Sequence, residues 1–68
     1  MNATMNIEQA TVFLRQAAAT SDRWEFFRIL YAGDEWVAEL LHDETNMVIV
    51  WAQTLTALVH RATGKMIL

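Results

Sequence analysis

Apolar side chains recur along this chain with two different periods. From Ile7 to Ala19 they come at helical spacing: Ile7, Ala10, Leu14, Ala17 and Ala18 form a stripe that Phe13 widens, with Arg15 and Gln16 on the polar side. Asn6 stands just before the run and Gln9 three positions later, the spacing of a capping box, with Met5 placed to staple the entry. The pattern predicts a helix over 7–19 after a frayed lead at 1–5. Thr20-Ser21-Asp22 should end it, because short polar side chains compete for backbone hydrogen bonds.

Between Trp24 and Trp51 the period shortens to two, and the residues become aromatic and β-branched. Strands are expected over 24–31, 35–42 and 47–51. A three-residue loop at Ala32-Gly33-Asp34 and a turn at Asp43-Glu44-Thr45-Asn46 would join them into an antiparallel meander. Strict alternation puts Phe27, Ile29 and Tyr31 on one side of the first strand, and Trp24, Phe26, Arg28 and Leu30 on the other. In the second strand Trp36, Ala38 and Leu40 oppose Glu35, Val37, Glu39 and Leu41. In the third, Val48 and Val50 oppose Met47, Ile49 and Trp51.

Helical spacing returns at the end. Thr54 is placed to cap a helix over 55–63, with Leu55, Leu58, Val59 and Ala62 buried. Gly64 reads as its C′ residue, Arg61 and Lys65 suit the negative end of the dipole, and the greasy Met66-Ile67-Leu68 is expected to dock back on the sheet. The architecture is then a single α+β domain, αβββα, with both helices on one face of the sheet. A rival reading is an all-α domain of four helices, in which Ser21, Asp34 and Asn46 act as caps. Met47–Trp51, a run of poor to middling helix formers, and the aromatic density before Gly33 favour strands.

Composition narrows what such a domain can do. A chain of 68 residues buries only about 60% of its unfolded surface, so its core is marginal. It has no cysteine, which removes disulfides and thiolate metal sites. A hydrophobic fraction of 54% is high for this size and implies either a dense core or apolar surface that needs covering. The net charge of −3 argues against sequence-independent nucleic-acid binding, which neutralises phosphates with lysine and arginine. No leader peptide and no run of about 20 apolar residues is evident, which points to a cytoplasmic location.

Chemistry-bearing clusters are few. His42-Asp43-Glu44 reads as a solvated turn, since adjacent residues seldom converge on one ion and His60 lies on another element. No nucleophile elbow and no phosphate-cradling glycine loop exists, and the carboxylate pairs Asp34-Glu35 and Asp43-Glu44 fall at opposite ends of the second strand. No catalytic residue, metal or cofactor is implied. The element order is similar to that of the double-stranded-RNA-binding domain, in topology alone. That resemblance implies a basic surface for RNA, whereas only Arg61 and Lys65, far along the last helix, are positive there.

The remaining signal is aromatic and acidic side chains sharing the sheet. Trp24, Glu25, Phe26, Arg28, Glu35 and Glu39 are the expected partner-binding residues. The function expected is non-catalytic protein binding, as an acidic regulator or inhibitor docking on a basic surface of a larger protein, such as one that handles nucleic acid. The alternatives are a structural homodimer without an external ligand, and nucleic-acid binding through the RNA-binding topology.

Overall fold

The structure, a computed structural model, describes residues 4–67. Helix α1 (Ile7–Ala19) is followed by strands β1 (Trp24–Ala32), β2 (Glu35–His42) and β3 (Asn46–Ala52), then by helix α2 (Leu55–Met66). The strands form one antiparallel sheet in the order β1-β2-β3. Helix α1 lies against β1 and α2, and α2 covers β3 and β2. This is the expected αβββα arrangement, and the four-helix alternative does not occur.

Both helix starts follow the chemistry written in the sequence. The Asn6 side chain accepts from the Gln9 N–H at 2.8 Å, and the Gln9 side chain accepts from the Asn6 N–H at 3.0 Å. Thr54 Oγ1 accepts from the Ala57 N–H at 3.1 Å. Each bond satisfies a donor that the first helical turn leaves without a partner. Met5 packs against the core, while residues 1–3 of the expected frayed lead lie outside the described residues.

The core sits between the helices and the inner face of the sheet. It joins Ala10, Leu14 and Ala18 of α1 to Ala38 and Leu40 of β2, Val50 and Ala52 of β3, and Leu55, Leu58, Val59, Ala62 and Met66 of α2. Leu14, Leu40 and Leu58 are its largest fully buried side chains. Alanine recurs in every one of these elements, so the helices can approach the sheet closely. The stripe on α1 is narrower than its sequence suggests: Ile7 and Phe13 stay exposed, and Ala17 is half-buried.

Three local details differ from the reading of the sequence. The β1–β2 loop has two residues, because Ala32 already pairs with Glu35. Gly33 and Asp34 both have positive φ, 57° and 67°, as a type I′ turn needs to match the twist of its strands. Helix α2 runs through Gly64 to Met66, so Gly64 is helical and is not the C′ residue. Burial of Met66 against the core draws that extra turn inward, and the Ile67 N–H donates to the Thr63 carbonyl at 3.1 Å. Met66 therefore docks as expected, whereas Ile67 is exposed and Leu68 lies outside the described residues.

The third difference reorganises a whole strand. Phe26 pairs with Leu40 and Arg28 with Glu39, so Phe27 is an extra residue in β1 with no partner in β2. Such a β-bulge interrupts the two-residue period and resets the facing of everything beyond it. Trp24, Phe26, Ile29 and Tyr31 consequently share the inner face, while Glu25, Arg28 and Leu30 share the outer one.

Candidate functional site

Among the described residues, no element covers the outer face of the sheet. Cross-strand pairing arranges it in rows: Leu30, Val37 and Trp51 at one end, Arg28, Glu39 and Ile49 across the middle, and Glu25, Leu41 and Met47 at the other end. Trp51 is 52% exposed, Met47 47% and Ile49 41%, all on β3. Leu30, Val37 and Leu41 are half-buried by these neighbours. The result is an apolar surface crossed by one ion pair.

In that pair the Arg28 Nε lies 2.6 Å from Glu39 Oε1, and a longer contact of 3.5 Å joins Nη2 to Oε2. Glu39 is the more sheltered partner, at 18% side-chain exposure against 64% for Arg28. The hydrogen bond that Arg28 donates to Glu39, and secondarily the negative charge of Glu39, raise the Arg28 guanidinium above its ordinary range. Glu39 is thereby neutralised locally. Among the described residues, the carboxylates of this side of the molecule without an ion-pair partner are Glu25 and Glu35 on the strands, with Asp34 and Glu44 in the turns, while Asp43 lies beside His42.

Charge is therefore distributed unevenly along the chain. The sheet and its two turns carry six of the eight acidic side chains and only one of the five basic ones, Arg28. Helix α2 carries Arg61 and Lys65 and no acid. The acidic sheet and the cationic end of α2 meet at the β3 edge, beside Ile49 and Trp51.

The six residues singled out from the sequence do not form one patch. Glu25, Arg28, Glu35 and Glu39 lie on the outer face. Trp24 and Phe26 lie on the inner face, half-buried against the core. Trp24 stacks on His42 with ring centroids 4.4 Å apart, and the Arg15 guanidinium lies 6.0 Å over the Phe26 ring. The outer-face residues that sequence reasoning left out are Trp51, Ile49 and Met47. Their alternation with Val48 and Val50 was legible, but which set faces outward was not.

His42 Nδ1 lies 3.6 Å from the Asp43 carboxylate, within the β2–β3 turn. Among the described residues, no three His, Asp or Glu side chains gather as a metal site would require, and no helix is long and apolar enough to cross a membrane. Comparison of the chain with protein-family models, with curated proteins and with solved structures gives no match.

Proposed function

We propose that this domain is a non-catalytic protein-binding module whose outer sheet face docks on a basic surface of a larger protein. The observation that carries this reading is the uncovered face itself, with Trp51, Ile49 and Met47 exposed beside Val37, Leu30 and Leu41. An apolar centre ringed by charge is the anatomy of a protein interface. The ring here is acidic through Glu25, Glu35 and the two turns, with Arg61 and Lys65 bordering only the β3 edge, so lysines and arginines around an apolar depression are the complement that most of it fits. Such a partner would meet Trp51 as the main anchor, since tryptophan is enriched among residues that dominate binding energy.

The same acidity works against two other readings. A second copy pressed face to face would bring Glu25 and Glu35 toward their own counterparts, a like-charge arrangement. A nucleic acid would meet carboxylates on most of the molecule and only two cations on α2. Proteins that handle nucleic acid carry the basic surfaces this face would complement, and occupying such a surface would make the domain a regulator or inhibitor.

A charge-matched pair of variants tests the reading. Glu25→Lys with Glu35→Lys alters the face, and Glu8→Lys with Asp22→Lys changes the net charge equally at positions off it. With both variants folded by circular dichroism, a basic protein retained by the native domain should be lost about tenfold or more by the first and kept by the second. Equal retention by both would overturn the proposal.

A further inference from the structure

We infer that the free edge of β3 accepts an extended acidic peptide segment as a fourth strand, held between the edge and the cationic flank of α2. This surface adjoins the outer face and shares Ile49 and Trp51 with it, but it is built from the edge backbone and the helix, and it attracts the opposite charge.

The two edges of the sheet are not alike. On β1 the bulge at Phe27 twists the strand and interrupts its row of hydrogen-bonding groups, a device that blunts edges. The β3 edge has no such device. It pairs with β2 in unbroken register from Ala52 to Asn46, and its seven residues, Asn-Met-Val-Ile-Val-Trp-Ala, contain no charge and no proline. An unbroken, apolar, uncharged edge is a template for strand addition.

The direction of its free groups can be read from one contact. Arg61 Nη1 donates to the Trp51 carbonyl at 2.9 Å, so that carbonyl points out of the sheet toward α2. Ladder bonding alternates along an antiparallel strand, so Met47 and Ile49, of the same parity, also direct their N–H and C=O groups outward. Arg61 thus occupies the place that an incoming strand's N–H would take.

A groove of ≈ 450 Å³ runs along this edge, lined by Ile49, Val50, Trp51, Arg61, Gly64 and Lys65. Arg61, Gly64 and Lys65 fall at i, i+3 and i+4, one face of α2. Glycine inside a helix costs about 1 kcal/mol relative to alanine, and here a Cβ would meet nothing within 4 Å. The packing of this chain therefore gives no reason for glycine at 64. A backbone or side chain lying in the groove would supply one, because glycine leaves the channel between the two cations open. Among the described residues neither Arg61 nor Lys65 pairs with a carboxylate.

Charge selects the occupant. A second copy paired through β3 would bring its own Arg61 and Lys65 against the same flank. An acidic segment of another protein would place carboxylates there instead. On binding, its first N–H replaces Arg61 at the Trp51 carbonyl, and the released guanidinium turns to a carboxylate of the peptide.

The test uses the full chain, isotope-labelled, and two blocked peptides matched to the seven residues of β3: one alternating threonine with glutamate, the other threonine with lysine. The glutamate peptide should slow amide hydrogen exchange at Met47, Ile49 and Trp51. Its affinity should be about tenfold above that of the lysine peptide, roughly the effect of two partly exposed charge pairs made rather than opposed. Gly64→Leu should fold at least as stably as the native chain yet lose the peptide, and so should Arg61→Glu combined with Lys65→Glu in its binding readout. Protection by neither peptide, equal protection by both, or undiminished binding by Gly64→Leu would overturn the inference. Protection of the same amides that rises with protein concentration and no peptide would overturn it in favour of self-pairing.

Discussion

Arg28 faces Glu39 across the β1–β2 ladder, with Nε 2.6 Å from Oε1, because Phe27 stands unpaired just before it. Without that extra residue, two-residue alternation would place Arg28 beside Phe26 on the face that packs under α1. The bulge turns one ill-placed charge outward, aligns it with a carboxylate, and brings Ile29 in to the core. The ion pair on the uncovered face owes its place to this one insertion.

Phe27 should consequently tolerate change that its neighbours do not. Phe27→Ser, at an exposed and unpaired position, is expected to alter stability by no more than about 0.5 kcal/mol. Phe26→Ser should cost about 2 kcal/mol or more, since it removes a half-buried ring from the core side. Urea midpoints on the two variants check the contrast.

The ion pair predicts a reciprocal result. Arg28→Glu and Glu39→Arg should each lower the urea midpoint by placing like charges opposite one another in the ladder. The double exchange should recover the native midpoint, apart from a small residue of changed geometry. Failure to recover would mean that one of the two side chains serves the fold in some other way.

Backbone conformation gives a third prediction. Glu44 has φ of 67°, in the left-handed region that costs a side chain of this kind about 1–2 kcal/mol. Glu44→Gly should therefore stabilise the domain, by about 1 kcal/mol. Gly33→Ala should destabilise it by a similar amount, about 1 kcal/mol, although a Cβ at Gly33 meets nothing within 4 Å. The opposite signs separate backbone strain from steric crowding, and thermal unfolding of both variants reads them.

Helix caps and the helix glycine supply the fourth. Asn6→Ala and Thr54→Ala should each cost about 1 kcal/mol, by removing the acceptors for the Gln9 and Ala57 amides. Gly64→Ala should gain about 1 kcal/mol, because α2 is continuous there and the space is open. Chemical denaturation of the three single variants is sufficient.

Much of this architecture was legible from local chemistry. Both caps, the buried stripe of α2, the centre of the α1 stripe at Ala10, Leu14 and Ala18, and the three strands follow from short-range rules that tertiary structure did not override. The facing of β1 was not legible, because a bulge leaves no mark in a run such as Trp24–Tyr31, where both alternating sets are apolar. Arg28 was for that reason grouped with Trp24 and Phe26, although the bulge sends it to the other side, where Glu25 already lies by ordinary alternation. The end of α2 was misjudged at Gly64 because a local stop signal was outweighed by the burial of Met66, two residues further on. For the candidate site, the charges on β2 indicated its outer face, but the exposure of Trp51 depended on where the helices lie.

The most direct test of the proposed docking face is photo-cross-linking from its central strand. Val37 is replaced by benzoylphenylalanine, with Gln16 on the exposed side of α1 replaced likewise as control, and the domain is irradiated in living cells. Adducts from position 37, and not from position 16, with a protein whose cross-linked peptides are rich in lysine and arginine are expected. Adducts from position 37 with the domain itself alone, or none beyond those seen from position 16, would contradict the account.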